Sequence, residues 1–321
     1  MIFMLIASWF QLPNATVIKC LALPIALLMI VSVWLLWVHY QKPHKNIREL
    51  VLRVKTFWLI VGLVGTSLLL KPFLAIMFWA FVSYLALKEY FTMIPTRQID
   101  RRVLFWAYLA IPVQYYFIEI GSYALMAIFI PVYVFLFLPF RMVLLSETSG
   151  FLRSISTIHW GVMMMVYSVS CIAAFYLLDP NRNPAGSGAT GLIFYLLFLN
   201  QLNDAAQFFF GKNFGKHKII PKVSPNKTVE GFLGGVGTSI VVAVLLAPYL
   251  TPLSFWHACI VGGIVSSAGF VGDITMSALK RDLQIKDTGN LLPGHGGLLD
   301  RIDSLVFAAP LLFHYVRYFY Y

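Results

Sequence analysis

The chain reads as an all-α polytopic membrane protein, with about nine to ten transmembrane helices and cytoplasmic loops that form a polar cavity. Three observations point there. Of its 321 residues 60% are hydrophobic and only 12% charged, with a mean hydropathy of +0.79, whereas a soluble domain carries about a quarter charged residues. Its apolar residues fall into runs approaching the ~20 needed to cross a bilayer. Its basic residues gather in alternate connections between those runs, as cytoplasmic loops do.

Taken in order, the candidate spans cover roughly 18–39, 56–71, 72–88, 103–119, 121–140, 160–178, 189–202, 231–249, 254–272 and 304–320. Met1 to Phe10 is apolar but has neither a basic leader nor a small-residue cleavage site, so it is not read as a removed signal peptide. Of the 24 Lys and Arg, all but Lys19, Lys71, Arg182 and Arg317 lie in the connections at 41–55, 88–102, 141–158, 203–230 and 273–303. If the spans alternate, these connections share one side. That side is expected to be the cytoplasm, with both termini outside. The net charge of +11 therefore reads as membrane topology, not nucleic-acid binding.

A Pro/Gly/Asn turn region at 179–189 divides the chain. Residues 1–180 are expected to be N-terminal transmembrane helices, chemically quiet, whose basic loops anchor them near anionic headgroups. Residues 181–321 hold the acids that matter: Asp204, Glu230, Asp273, Asp282, Asp287, Asp300 and Asp303 are seven of the 13 Asp and Glu. Acids at membrane depth are costly and usually face a cavity or a partner.

The densest polar stretch, 277–304, reads SALKRDLQIKDTGNLLPGHGGLLDRIDS. If the preceding helix continues, Asp273, Ser277 and Lys280 share one face. Asp300 and Asp303 lie three apart at the head of the next helix, again on one face, with Arg301 turned aside. Paired carboxylates suit Mg²⁺, which takes oxygen ligands and usually binds phosphates as well. The turn Pro293-Gly294-His295-Gly296-Gly297 permits positive φ and brings backbone N–H groups close to an anion. On the residues alone, however, Asp273, Asp300 and Asp303 could equally be ion-pair partners of Lys280, Arg281 or Arg301.

A second polar region lies at 203–231. Asn203-Asp204-Ala205-Ala206-Gln207 is expected to end an apolar helix, and the basic loop Gly211-Lys212-Asn213-Phe214-Gly215-Lys216-His217-Lys218 follows it. Ser224-Pro225-Asn226-Lys227-Thr228-Val229-Glu230-Gly231 then reads as a helix start, with Ser224 as N-cap, Pro225 first and Lys227 in the first turn.

The 277–303 stretch resembles the signature of the phosphatidate cytidylyltransferases, the CDP-diacylglycerol synthases. Ser277, Lys280, Arg281, Lys286, Asp287, Pro293, His295, Gly296, Gly297, Asp300, Arg301 and Asp303 fill its fixed positions. The upstream Asn-Asp, Gly-Lys-His-Lys and Ser-Pro-x-Lys-Thr-x-Glu-Gly pieces resemble the same family, so the likeness covers roughly 195–310. Gln207 departs from it, standing where many members carry an aromatic.

The resemblance implies that CTP and phosphatidate give CDP-diacylglycerol and pyrophosphate, in phospholipid biosynthesis. It implies Mg²⁺ held by Asp273 and Asp300, with Asp303 or Asp204 in support, and room for a second cation. Lys227, Lys280, Arg281 and Arg301 would clamp phosphates, with Lys280 and Arg281 beside the metal acids at the reacting centre. Ser224, Ser277, Lys286, His295, Gly296 and Gly297 would bind and order the substrate. The expected partners are CTP, phosphatidate and the bilayer, with a homodimer left open and no nucleic acid. The expected location is a bacterial inner membrane, with the site facing the cytoplasm. A CTP-dependent lipid kinase of the polyprenol or dolichol type and a lipid transporter are the rivals.

Cys20, Cys171 and Cys259 have no metal-ligand spacing and suggest no disulfide framework. Neither a P-loop nor a nucleophile elbow occurs.

Overall fold

A computed structural model describes residues 9–41, 48–97, 100–146, 148–289 and 296–321. The described residues form helices and turns without strands. The long helices are α1 (Ala15–Gln41), α2 (Arg48–Leu69), α3 (Pro72–Met93), α4 (Arg101–Glu119), α5 (Tyr123–Val143), α6 (Phe151–Leu177), α7 (Gly188–Phe214), α8 (Val229–Leu250) and α9 (Phe255–Asp282). A single turn, α10 (Leu299–Ile302), leads into α11 (Leu305–Tyr320). Each candidate span overlaps one of these helical segments. Among the described residues seven helices are long and apolar enough to cross a membrane: α1, α2, α3, α5, α6, α8 and α9. The chain is thus an all-α multi-pass membrane protein.

The surface shows why. Leu23, Leu27, Ile30 and Leu36 of α1, and Val241 and Leu245 of α8, are exposed. An apolar face of that extent is stable only against lipid or protein. The interior is tightly filled around Tyr90, Phe175, Tyr195 and Phe313, all fully buried. Some polar groups inside the bundle pair with one another, since lipid offers no partner. Gln114 Nε2 donates to Met126 O and to Ser170 Oγ, both at 3.0 Å, and the Ser83 and Tyr115 hydroxyls pair at 2.7 Å. Pro131 sits in a π-helical turn, Phe129–Val134, within α5, where the wider turn accommodates a residue with no N–H to donate.

Two local expectations change. The apolar helix does not end at Asn203–Gln207 but runs on as α7 to Phe214, capped at Gly215. No proline intervenes between 203 and 214, and Gln207 Nε2 donates to Asn203 Oδ1 one turn away (3.1 Å). Ser224 does not cap α8. Thr228 does, its Oγ1 accepting from Gly231 N at 3.1 Å. The cause lies upstream: a bridge between Lys218 and Thr228 holds Thr228 extended (φ −127°, ψ 156°), so Ser224–Lys227 forms the turn before the helix. Lys227 consequently precedes the first turn of α8.

Candidate active site

The C-terminal ends of α3 and α9, the later turns of α7, and the starts of α8, α10 and α11 meet at one end of the bundle. Two carboxylate groups form there.

The first is acidic and under-partnered. Asp204 on α7 is joined to Ser304 at the head of α11, whose Oγ donates to Asp204 Oδ2 at 3.0 Å. The same Ser304 Oγ accepts from Asn200 Nδ2 at 2.8 Å. Asp204 Oδ1 is buried and has no hydrogen-bond partner. Asp273 on α9 and Asp303 before α11 both act electrostatically on Asp204 or on each other. Asp303 Oδ1 accepts from Ser304 N at 2.8 Å. Burial first, then the charges of Asp273 and Asp204, hold the Asp303 carboxyl well above the usual carboxylate range.

One cation is built into this group. Lys227 Nζ forms an ion pair with Asp273 Oδ2, donates to Gln207 Oε1 at 3.2 Å and lies 5.7 Å from the ring centroid of Phe270. Gln207 thereby links Lys227 to Asn203, whose Oδ1 also accepts from Ser266 Oγ at 2.5 Å. Ser277 Oγ donates weakly to Asp273 Oδ1 (3.4 Å), so Asp273 and Ser277 share a face as their spacing requires.

The second group is saturated. Asp300 Oδ1 accepts from Lys280 Nζ at 2.8 Å. Its Oδ2 accepts from Thr288 N, Thr288 Oγ1 and Gly297 N, each at 3.0 Å. Although Asp300 is buried, which opposes ionisation, these donors and the Lys280 charge hold its carboxyl below the ordinary value. Beside it stands Glu89 of α3, which accepts from Thr288 Oγ1 and from the amides of Leu298 and Leu299.

The sequence-predicted residues therefore divide. Asp204, Lys227, Asp273, Ser277 and Asp303 come together. Asp300 and Lys280 pair in the neighbouring group, and the Gly297 amide serves Asp300. Gly296 adopts φ +77°, and a Cβ there would lie 2.6 Å from Asp300 Oδ2, so the turn requires its glycine. Arg301 Nε is buried without a partner. Arg281 is exposed and reaches Val223 O at 3.4 Å, Lys286 is exposed and Ser224 half-buried. His295, with Pro293 and Gly294, lies outside the described residues.

Sequence reading missed Glu89, Thr288, Ser304 and Asn200. Only Ser304 carried a signal, as the residue directly after the signature's last Asp.

Among the described residues no three acidic, His or Cys side chains converge closely enough to hold a metal as they stand. The donors suit one nonetheless. Three carboxylates with one ammonium among them form an oxygen-rich, negatively charged set of the kind Mg²⁺ takes, and Asp204 Oδ1 is a buried acceptor with nothing to accept from.

Acids crowded with lysines at one end of a membrane bundle are groups that nucleotidyl transfer can use, and the chain's family makes it a membrane nucleotidyltransferase. The chain belongs to the cytidylyltransferase family, whose model matches residues 51–319. It is 42% identical over 303 residues to the uncharacterized Escherichia coli protein YnbB, covering 94% of this chain and 98% of that one. It is 36% identical over 219 residues to a Bacillus subtilis phosphatidate cytidylyltransferase, covering 68% of this chain and 77% of the relative. A Staphylococcus haemolyticus phosphatidate cytidylyltransferase matches at 43% over 121 residues, 37% of this chain and 46% of that one.

Proposed function

We propose that the protein transfers the cytidylyl group of CTP to phosphatidate, giving CDP-diacylglycerol and pyrophosphate, from the cytoplasmic face of a bacterial inner membrane. The observation that carries this reading is the convergence of Asp204, Lys227, Asp273 and Asp303, drawn from segments far apart in sequence, around the Lys227–Asp273 ion pair. The kinship with two phosphatidate cytidylyltransferases supports the choice of substrates.

An oxygen of the lipid phosphate attacks the α-phosphorus of CTP. The new P–O bond forms as the bond from that phosphorus to the bridging oxygen breaks, and the electron pair leaves with pyrophosphate. A phosphate nucleophile is already ionised near neutral pH, so no side chain need act as base. Lys227, fixed by Asp273, Gln207 and the Phe270 ring, presents its ammonium to phosphate oxygens. Lys280 is held by Asp300, and Arg281 on α9 and Arg301 on α10 would meet further phosphate oxygens. Asp204, Asp273 and Asp303 would hold Mg²⁺, which supplies neutralisation of the charge on the leaving pyrophosphate. The exposed apolar flanks of the helices keep acyl chains in the bilayer while the headgroup reaches the polar end.

Detergent-purified protein with phosphatidate and α-³²P-labelled CTP tests this. Label is expected in the organic phase, dependent on Mg²⁺ and absent with Asp273→Asn. Wild-type protein that binds phosphatidate but leaves the lipid unlabelled would overturn the reading. Polyprenol with γ-labelled CTP would then test for a lipid kinase, which releases CDP.

A further inference from the structure

Glu89 has no place in the phosphate chemistry above, and it stands on α3, in the half of the chain without a candidate motif. It nevertheless grips the signature segment on both sides of residues 290–295. Its Oε1 accepts from Thr288 Oγ1 at 2.5 Å and from Leu299 N at 3.1 Å, and its Oε2 accepts from Leu298 N at 2.8 Å. These contacts join positions 199, 209 and 210 residues apart. The approach is close enough to exclude a side chain at Gly297, where a Cβ would lie 1.9 Å from Glu89 Oε1.

The contact chain continues toward the chemistry. Thr288 donates through its amide to Asp300 Oδ2, and its hydroxyl touches the same oxygen, both at 3.0 Å. Asp300 Oδ1 in turn holds Lys280 Nζ at 2.8 Å. One hydroxyl proton lies between two carboxylates, so displacing Glu89 alters what Thr288 offers Asp300. A carboxylate suits this place because three donors face it. An amide side chain would turn an N–H toward another donor and leave a half-buried group unpaired.

We propose that Glu89 is a positioning residue for cytidylyl transfer: it ties the N-terminal helices to Thr288, Leu298 and Leu299, and through Thr288 and Asp300 sets the position of Lys280. This rests on the function proposed above, so the test includes a readout independent of the reaction.

Full-length protein in detergent carrying Glu89→Gln, Thr288→Val, Lys280→Met or the pairs with Lys280→Met would be compared. In Glu89→Gln, the amides of Leu298 and Leu299 are expected to exchange hydrogen about tenfold faster or more while those of α3 and α9 stay unchanged. The kcat is expected to fall about 10- to 100-fold with KM for CTP within about threefold. Adding Glu89→Gln to Lys280→Met should cost no more than about twofold further, because both act through one group.

Unchanged exchange at Leu298 and Leu299 would overturn the tether. Rate losses that multiply in the double variant, or faster exchange spread through α3, would overturn the positioning role in favour of simple packing. If Glu89→Gln does not fold, Thr288→Val, which deletes only the shared hydroxyl, must show the same non-additivity with Lys280→Met, and additive losses would overturn the proposal. Wild-type protein that transfers no cytidylyl group would overturn the reaction reading, while the exchange result would still decide the tether.

Discussion

Glu89 and Asp300 accept hydrogen bonds from Thr288, Gly297, Leu298, Leu299 and Lys280, whereas in the other carboxylate group Asp204 leaves Oδ1 buried and unpartnered beside Asp273 and Asp303. In the first pair every carboxylate oxygen is committed to donors of the protein, and for Asp300 those donors favour ionisation. The second set keeps a buried carboxylate oxygen uncommitted, as the proposed Mg²⁺ site requires. The charge of Asp273 raises the cost of ionising Asp204 and Asp303, and Lys227 forms an ion pair within the set. The contrast teaches that carboxylates three residues apart in one motif, such as Asp300 and Asp303, can be held in quite different surroundings.

The largest expected effect separates the two groups directly. Asp273→Asn is expected to lower labelled-lipid formation by about 10³-fold or more, since it removes a donor at the reacting centre and unseats Lys227. Its residual activity should need far more Mg²⁺. Asp300→Asn should cost about 10- to 100-fold by loosening Lys280, with the Mg²⁺ requirement within about twofold of wild type. Magnesium titrations of both variants decide the matter. Equal shifts in Mg²⁺ requirement would place Asp300 with the metal acids and dissolve the comparison.

Much of this was legible beforehand. Length and hydropathy located every long helix, because lipid demands helices of a set length and leaves few ways to satisfy backbone groups. Asp273, Ser277 and Lys280 could be set on one face from the helical period alone. What periodicity could not reach were contacts between segments. Glu89 looks like any charge at the end of a span, and nothing local says that its oxygens close on amides 209 and 210 residues away. Thr288 and Asn200 are equally mute, since their roles come from which neighbours the fold brings. Ser224 was misplaced for a related reason: a Ser-Pro pair is a good local cap, but the pairing of Lys218 with Thr228 moves the helix start onward.

The same contrast has a pH signature in metal-free protein. Asp303 titrates above the carboxylate range in the fold, so the folded state favours its protonated form. That contribution is fully present below the unfolded value of about 4 and is lost as pH rises through the folded value. Asp300 is depressed, so its contribution is present above that unfolded value and is lost only in acid. Between pH 5 and 8 Asp300 is therefore silent, and Asp303 sets the slope together with Asp204, whose carboxyl is pushed up to about 6 by burial. The melting temperature in EDTA is expected to fall as pH rises across this window, by up to ~1.4 kcal/mol of stability per pH unit for one proton. Asp303→Asn should flatten the curve above about pH 6, where Asp204 has already lost its proton, and added Mg²⁺ should stabilise more at pH 8 than at pH 5.5. A melting temperature that is level in EDTA would show that Asp303 is ionised without cost.

The smallest expected effect concerns Ser304, which touches only the under-partnered group. Its hydroxyl donates to Asp204 and accepts from Asn200, bridging α7 to the head of α11. Ser304→Ala should destabilise the protein by about 1–2 kcal/mol, the usual cost of leaving buried partners unpaired, and should do so less when Mg²⁺ is present, because a cation on Asp204 replaces the lost donor. Denaturant midpoints with and without Mg²⁺ measure this. A destabilisation that ignores Mg²⁺ would mean that Asp204 belongs with Glu89 and Asp300 as scaffolding, leaving Asp273 and Asp303 as the only carboxylates of the pair of groups that await a cation.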